Sequence, residues 1–452
     1  MLDQIIAHKQ QVVTSRTSDI NAYKNTLNPS KKCMLEALKK HKRAFICEIK
    51  LASPSLGLIK KNADISEIAR IYEPFADAMS VLAEEKFFLG ALANVKKISD
   101  EQACPVLCKD IIVSPLQVYE ARYYGADAIL LMLSVIDDKT YKKCEEVARK
   151  LDMDIICETH TAEEISRANN LGARIIGINN RNLANLQIDL ETTMRLRPLV
   201  HKQALVVAES GFVNHQQILR YAGVVDGFLV GTSLMRAPRI DLALRELVFG
   251  RVKICGLTNA HDARLAYDYG AYYGGLNFSN LSKRRISKEE AKVIIKSAPL
   301  SYGGVFVNQP IDEVLDRAQE LKLDFVQLHG EEAQDYIREL RRLLPPDCEI
   351  WKAFRVKNQI PVLENNNADL ILFDTFSAET YGGTGEVFNW ELCKAYNGQK
   401  FGLAGGLNPS NIHAASLHNA FMLDIASGAE ESDCRRKSPQ KLAQIFAALR
   451  GE

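Results

Sequence analysis

Residues 154–180 read DIICETHTAEEISRANNLGARIIGINN. An apolar run ends in a polar tip (DIICETH, 154–160). A stretch with helical patterning follows, then a second apolar run with a polar tip (RIIGINN, 174–180). Strands buried on both faces of a parallel sheet look like this: near-continuous apolar runs, not alternating ones. The unit repeats outward from here. Upstream lie FICEIK (45–50), AMSVLAE (78–84), CPVLCKD (104–110) and AILLMLSV (128–135); downstream, ALVVAES (204–210) and GFLVGTS (227–233) complete a set of eight. A second eight follows: RVKICGL (251–257), YGGLNF (273–278), YGGVFVN (302–308), FVQLHG (325–330), EIWKAFR (349–355), DLILFDT (369–375), FGLAGGL (401–407) and FMLDIAS (421–427). Eight βα units close one barrel, with its catalytic groups at the C-terminal strand tips. The chain therefore reads as α/β, two tandem (β/α)8 TIM barrels over 1–250 and 251–452. The first carries an N-terminal helical extension in residues 1–44.

Composition narrows the function. Of 452 residues, 47% are hydrophobic and 25% charged, ordinary values for a soluble globular protein, and each half is long enough to bury its own core. The formal net charge of +1 supplies no basic or acidic tail for nucleic acid. No apolar run approaches the roughly 20 residues of a membrane helix, and MLDQIIAHKQQVVTSR lacks the apolar core of a signal peptide. The expectation is a cytoplasmic protein, monomeric, without nucleic-acid or membrane partners. Ten cysteines show no CxxC pair, and most are expected to be buried and reduced. There is no GxGxxG after a strand, no Walker loop and no HExxH; no cofactor and no metal are expected.

The two halves share their endings. Strands seven and eight end in ESG and GTS in the first half, and in AGG and ASG in the second. Small residues there let backbone N–H groups approach an anion, and the loops after strands seven and eight are the usual phosphate cradle of this fold. Two sites for phosphorylated small-molecule substrates follow.

The tips differ in chemistry. Residues i and i+2 of a strand face the same way, so Glu48 and Lys50 share a face of the first strand. Lys109, Glu158, Asn179, Glu209 and Ser210 end strands three, five, six and seven. Two lysines and three carboxylates in one mouth are costly unless they pair and a charged ligand joins them, and such crowding moves pKa values toward neutrality for acid–base work. In the second half Cys255 ends the first strand and Asp374 the sixth. A thiolate is a competent base where its pKa is lowered, and an Asp is a matching acid where burial keeps it protonated.

The series EIKLASPSLG, EEKFFLG, LCKDI, CETH, GINNRNL, AESGF and FLVGTSLM resembles indole-3-glycerol-phosphate synthase across residues 1–250. The resemblance implies ring closure of 1-(o-carboxyphenylamino)-1-deoxyribulose 5-phosphate with loss of carbon dioxide and water. It implies Lys109 as general acid, Glu158 as base, and Glu48 and Lys50 as assisting groups. Ser53, Asn179, Arg181, Glu209 and Ser210 would contact substrate. Gly211, Gly231, Thr232 and Ser233 would cradle phosphate, and Phe87 and Phe88 would wall the aromatic ring. Ile111 stands where that family usually has Phe.

KICGLTN, VQLHGEE, FDTFSAETYGGTG, LAGGLNP and DIASGAE resemble phosphoribosylanthranilate isomerase across residues 251–452. The implied reaction is an Amadori rearrangement, with Asp374 protonating the ring oxygen and Cys255 taking the C2′ proton. Arg284 would hold the anthranilate carboxylate, with Arg285 as runner-up, because Lys283 replaces the family's usual Pro. Gly405, Gly406, Ser427 and Gly428 would hold phosphate beside Asp424, and His329 would line the pocket. The alternative, one active barrel beside a silent scaffold, is disfavoured by the presence of both Lys109/Glu158 and Cys255/Asp374. Lys109→Ala should therefore abolish ring closure and spare the isomerase, and Cys255→Ser the reverse. Each loss should be about 10²–10⁴-fold in kcat; a change within a few fold would remove that residue's role.

Overall fold

A computed structural model describes residues 2–61, 63–361, 367–375 and 387–452. It contains two closed barrels of eight parallel strands, each with neighbours in chain order. The chain divides into two compact units, Met1–Leu244 and Arg245–Glu452. The division falls within the helix Ile240–Phe249, and the expected 250/251 boundary lies at that helix's end.

In the first unit the strands are Ala44–Ile49, Ala78–Leu82, Val106–Lys109, Ala128–Met132, Asp154–Thr159, Ile175–Asn179, Leu205–Glu209 and Gly227–Val230. Alternate residues form one buried apolar cluster: Ala44 and Ile46, Leu107, Ile156, Ile175, Val207 and Leu229. Two residues further along those strands, on the same face, stand Glu48, Lys109, Glu158, Gly177, Glu209 and Gly231. The pleat that buries the apolar positions thus delivers the polar ones to the mouth. A short hairpin, Ala52–Ser53 with Gly57–Leu58, follows the first strand and carries Ser53; nothing in the apolar patterning announced it. The extension is the helix Leu2–Tyr23, whose buried Ile5, Lys9, Val13 and Ile20 recur at helical spacing. Lys9 is buried and bonds Glu85 at 2.8 Å and Asp110 at 3.0 Å, next to Lys109.

The second unit's strands are Val252–Cys255, Tyr273–Asn277, Ser301–Phe306, Phe325–Leu328, Glu349–Val356, Leu370–Thr375, Phe401–Leu403 and Met422–Ile425. Its inner cluster holds Tyr273, Phe325, Trp351, Leu370, Leu372 and Met422. Phe325 and Trp351 stack at 3.6 Å between ring centroids, an arrangement worth about 0.5–1.5 kcal/mol beyond area burial. The same alternation leads from Phe325 to Gln327 and His329, from Leu372 to Asp374, and from Met422 to Asp424. Gly275 is required by packing: a Cβ there would lie 2.8 Å from Lys253 Cε and 2.9 Å from Cys255 Sγ. The ten cysteines are free and most are buried, as expected; Cys33 is exposed and Cys104 and Cys434 are half-buried. No helix among the described residues is long and apolar enough to cross a membrane. Because each barrel closes on itself, residues 1–250 and 251–452 expressed separately should each unfold cooperatively. Two insoluble fragments would show that neither closure suffices for stability.

Candidate active sites

A cavity of about 480 Å³ opens at the C-terminal strand ends of the first barrel. Its walls include Glu48, Lys50, Ser53, Lys109, Glu158, Asn179, Arg181, Glu209, Ser210, Gly211, Gly231, Thr232 and Ser233, so the structure brings every expected group of this half but Phe87 together. Phe88 and Ile111 line it too, while Phe87 packs against the core cluster. Leu2 and Ile5 of the N-terminal helix also reach it, so the extension forms part of the wall.

Lys109 is the hub. Its Nζ lies 2.8 Å from Glu209 Oε2 and 3.2 Å from Glu158 Oε2. Burial pulls the ammonium's pKa down, but Glu209, Glu158 and Glu48 outweigh it and hold Lys109 above its usual value, charged and able to donate. The two carboxylates diverge. Burial pushes Glu209 up to about 7 against the pull of Lys109. Glu158 is equally buried, but Lys109 and then His160 outweigh burial and hold it well below the carboxylate range. Its Oε1 accepts from Asn179 at 3.2 Å and lies 3.2 Å from His160 Nε2. His160 was overlooked in the sequence, although it stands two residues beyond Glu158 on one face. Lys50 pairs with Glu48 at 2.6 Å, and Glu48 stays below its ordinary range because Lys50 and Lys109 outweigh burial. Gly177 makes room for Glu209, since any Cβ there would run into its Oε1. Glu84, also unforeseen, is buried and accepts from the backbone N–H groups of Phe87 at 2.6 Å and Phe88 at 2.9 Å, which sets the aromatic wall.

The loops expected to cradle phosphate resemble each other in backbone conformation. After strand seven, Ser210 and Gly211 have φ of 68° and 96°, and Gly405 and Gly406 have 82° and 66°. After strand eight, Gly231 sits at φ −134°, ψ −64° and Ala426 at −115°, −89°. Two successive residues at positive φ make a sharp turn straight after strand seven in both barrels, where small residues let backbone N–H groups approach an anion. Ser233 Oγ ties the two loops of the first barrel by donating to Phe212 O at 2.9 Å. In the second barrel a Cβ on Gly428 would strike Leu407 O, so those loops touch as well.

At the second mouth Cys255 and Asp374 are both buried. His329 Nε2 lies 3.0 Å from Asp374 Oδ2, and Asp374 Oδ1 accepts from Thr375 N at 2.8 Å. His329 therefore contacts the expected acid directly. The thiol departs from expectation: burial raises its pKa, with Lys253, Lys437 and Arg284 pulling the other way and Asp424 adding to the rise. Arg284 is engaged by Glu430, with Nε to Oε1 at 2.6 Å and Nη2 to Oε2 at 2.7 Å. Lys437 completes this clamp, bonding Glu430 at 2.8 Å and Cys255 O at 2.6 Å. Arg285 carries no such clamp on its side chain; its backbone pairs with Asn277. A Cβ on Gly256 would run into Arg284 Cδ, so the Gly after Cys255 seats that arginine. Lys253, Gln327, Glu430 and Lys437 were not foreseen. The first two obey the i, i+2 rule with Cys255 and His329; the other two meet through a loop and left no sequence signal. The glycine-rich part of FDTFSAETYGGTG, residues 376–386, lies outside the described residues.

Comparison with known proteins agrees with the order of the two sites. Residues 2–247 match the family model "Indole-3-glycerol phosphate synthase" and residues 252–448 match "N-(5'phosphoribosyl)anthranilate (PRA) isomerase". The chain is 43% identical to the tryptophan biosynthesis protein TrpCF of Vibrio parahaemolyticus, over 100% of this chain and 94% of that protein. It is 41% identical to TrpCF of Buchnera aphidicola subsp. Diuraphis noxia, over 100% and 99%. Phosphoribosyl anthranilate isomerase from Thermus thermophilus, a solved structure, is 35% identical over 44% of this chain and 98% of its own, with a TM-score of 0.40. At the first site, ring-closing kcat/KM should rise through about pH 7 as Glu209 ionises and holds Lys109, and Glu209→Gln should flatten that limb. A wild-type profile with no inflection between about pH 6 and 8 would remove Glu209 from the acid–base set.

Proposed function

Because the chain belongs to the indole-3-glycerol-phosphate synthase family over its first barrel and to the phosphoribosylanthranilate isomerase family over its second, we propose a specific division of labour among the side chains of each mouth. The chain is a bifunctional enzyme of tryptophan biosynthesis. Its C-terminal barrel isomerises N-(5'-phosphoribosyl)anthranilate to 1-(o-carboxyphenylamino)-1-deoxyribulose 5-phosphate, and its N-terminal barrel closes that product to indole-3-glycerol phosphate.

In the second barrel Asp374 protonates the furanose oxygen and opens the sugar to an imine. Cys255 removes the C2′ proton, and the enolamine collapses to the ketone. Asp424, bonded through Oδ2 to Lys253 at 2.8 Å, completes the substrate-binding set of this mouth. Arg284 receives the anthranilate carboxylate through its remaining Nη1 and Nη2 donors, because Glu430 occupies the Nε–Nη2 edge. In the first barrel Lys109 donates to the substrate carbonyl while the ring carbon attacks, carbon dioxide leaves, and Glu158 takes the proton as water departs. Glu48 orients Lys50, which meets the substrate carboxylate or phosphate. Gly211, Gly231, Thr232 and Ser233 hold phosphate there, and Gly405, Gly406, Ser427 and Gly428 hold it in the second barrel. The matching left-handed pairs after strand seven carry this reading, since one sugar phosphate serves both sites. The two-domain boundary at 250/251, a monomeric state, action in the cytoplasm and independence from metal or cofactor belong to the same proposal. Proton transfers account for both reactions without a further group.

A bidentate arginine–carboxylate contact is worth about 1.5–3 kcal/mol. Arg284→Ala should therefore raise the isomerase KM about 10–150-fold and leave ring closure unchanged. An unchanged KM, with the rise appearing in Arg285→Ala, would transfer the role to Arg285.

A further inference from the structure

Lys253 is fully buried on the inner face of the second barrel's first strand, and the roles above leave it unused. Lys253 has no exposure, so substrate cannot touch the ammonium, while Cys255, two residues along, keeps 9%. Among the described residues the ammonium has three hydrogen-bond partners. Nζ lies 3.5 Å from Cys255 Sγ, 2.8 Å from Asp424 Oδ2 and 2.6 Å from Gln327 Oε1.

The third contact has a directional consequence. An ammonium only donates, so Gln327 must present its carbonyl oxygen to Lys253. Its NH2 group then faces His329 Nδ1, at 3.1 Å. That nitrogen must accept, which places the imidazole proton on Nε2, 3.0 Å from Asp374 Oδ2. The polarity of the whole chain, Lys253 to Gln327 to His329 to Asp374, is therefore set at its buried end. An Nε2–H donor stabilises the carboxylate that forms when Asp374 gives up its proton.

We propose that Lys253 is a positioning residue for the isomerase. Its ammonium favours the ionised form of Cys255 and, through Gln327 and His329, aims a donor at Asp374. One buried charge thus prepares both the base and the acid. This rests on the assignment of Cys255 and Asp374 as those two groups. The charged groups around the thiol are Lys253, Asp424, Lys437 and Arg284. Asp424 opposes the three cations, so removing it should act in the opposite sense to removing Lys253.

The test uses the full-length chain and two readouts besides turnover. The first is the pH midpoint for alkylation of Cys255 by iodoacetamide, followed by mass spectrometry of its peptide. The second is the ring tautomer of His329 by nitrogen-15 NMR. Lys253→Met should raise the midpoint by at least about one pH unit and lower isomerase kcat/KM about 100-fold or more. It also strands Asp424 in a buried setting, a change that can unfold a domain. Two milder variants therefore accompany it. Asp424→Asn keeps the ammonium and should lower the midpoint. Gln327→Glu can accept from Lys253 but cannot donate to Nδ1; it should move the His329 proton to Nδ1 and lower kcat, with KM little changed. Midpoints that stay put in Lys253→Met and Asp424→Asn, or an Nδ1–H tautomer in the parent chain, would overturn the proposal. Full isomerase activity in Cys255→Ser or Asp374→Asn would overturn the underlying assignment instead.

Discussion

An ammonium ion buried inside a barrel must be surrounded by acceptors, because its desolvation is repaid only by well-placed counter-charges and hydrogen bonds. Both catalytic mouths are organised by that constraint. In the first, Lys109 stands between Glu209 and Glu158, 2.8 and 3.2 Å away. In the second, Lys253 stands among Asp424, Gln327 and Cys255. The difference lies in access. The Lys109 side chain keeps 16% exposure and the Lys253 side chain has none. The same electrostatic requirement thus leaves one paired lysine on the wall of a cavity and the other enclosed by its neighbours.

The surrounding architecture serves this arrangement. Room for each ion cluster comes from residues that lack a Cβ: Gly177 beside Glu209, and Gly275 beside Lys253 and Cys255. Closure of each sheet brings non-adjacent strands to one axis, so groups 100 residues apart in sequence, such as Lys109 and Glu209, come into contact. The cradles after strands seven and eight repeat nearly the same backbone angles with different residues, Ser210–Gly211 against Gly405–Gly406. What the two mouths share is a turn of small residues at positive φ after strand seven, and what they do not share is the set of ionisable groups beside it. That division suits consecutive reactions on one phosphorylated skeleton.

Much of the site was legible from strand tips. Glu48, Lys109, Glu158, Glu209, Cys255 and Asp374 each close an apolar run, and period-two alternation carries the buried face straight to them. The same rule, applied one step further, would have found His160 beyond Glu158, Lys253 before Cys255 and Gln327 before His329. They were passed over because a lysine or glutamine inside an apolar run looks like an interruption, not a functional position. Glu84, the tip of the second apolar run and two residues beyond Leu82, also lay within that rule's reach. Glu430 and Lys437 did not: they meet distant side chains through a loop, and no periodicity relates them to the residues they hold. The exposure of Cys33 and the short hairpin bearing Ser53 were likewise invisible to apolar patterning.

By itself, the sequence determined the count and order of strands, the pairing of small residues at the seventh and eighth tips, and the identity of the groups at each mouth. These follow from local rules: burial on both faces, alternation along a strand, and the steric needs of a backbone that approaches an anion. Tertiary structure alone decided the electrostatics. It raised the Cys255 thiol where a lowered one was expected, separated Glu209 from Glu158, and clamped Arg284 onto Glu430. Ionisation depends on burial and on charges a few ångströms away in space. Those neighbours come from strands and loops that only the closed barrel brings together.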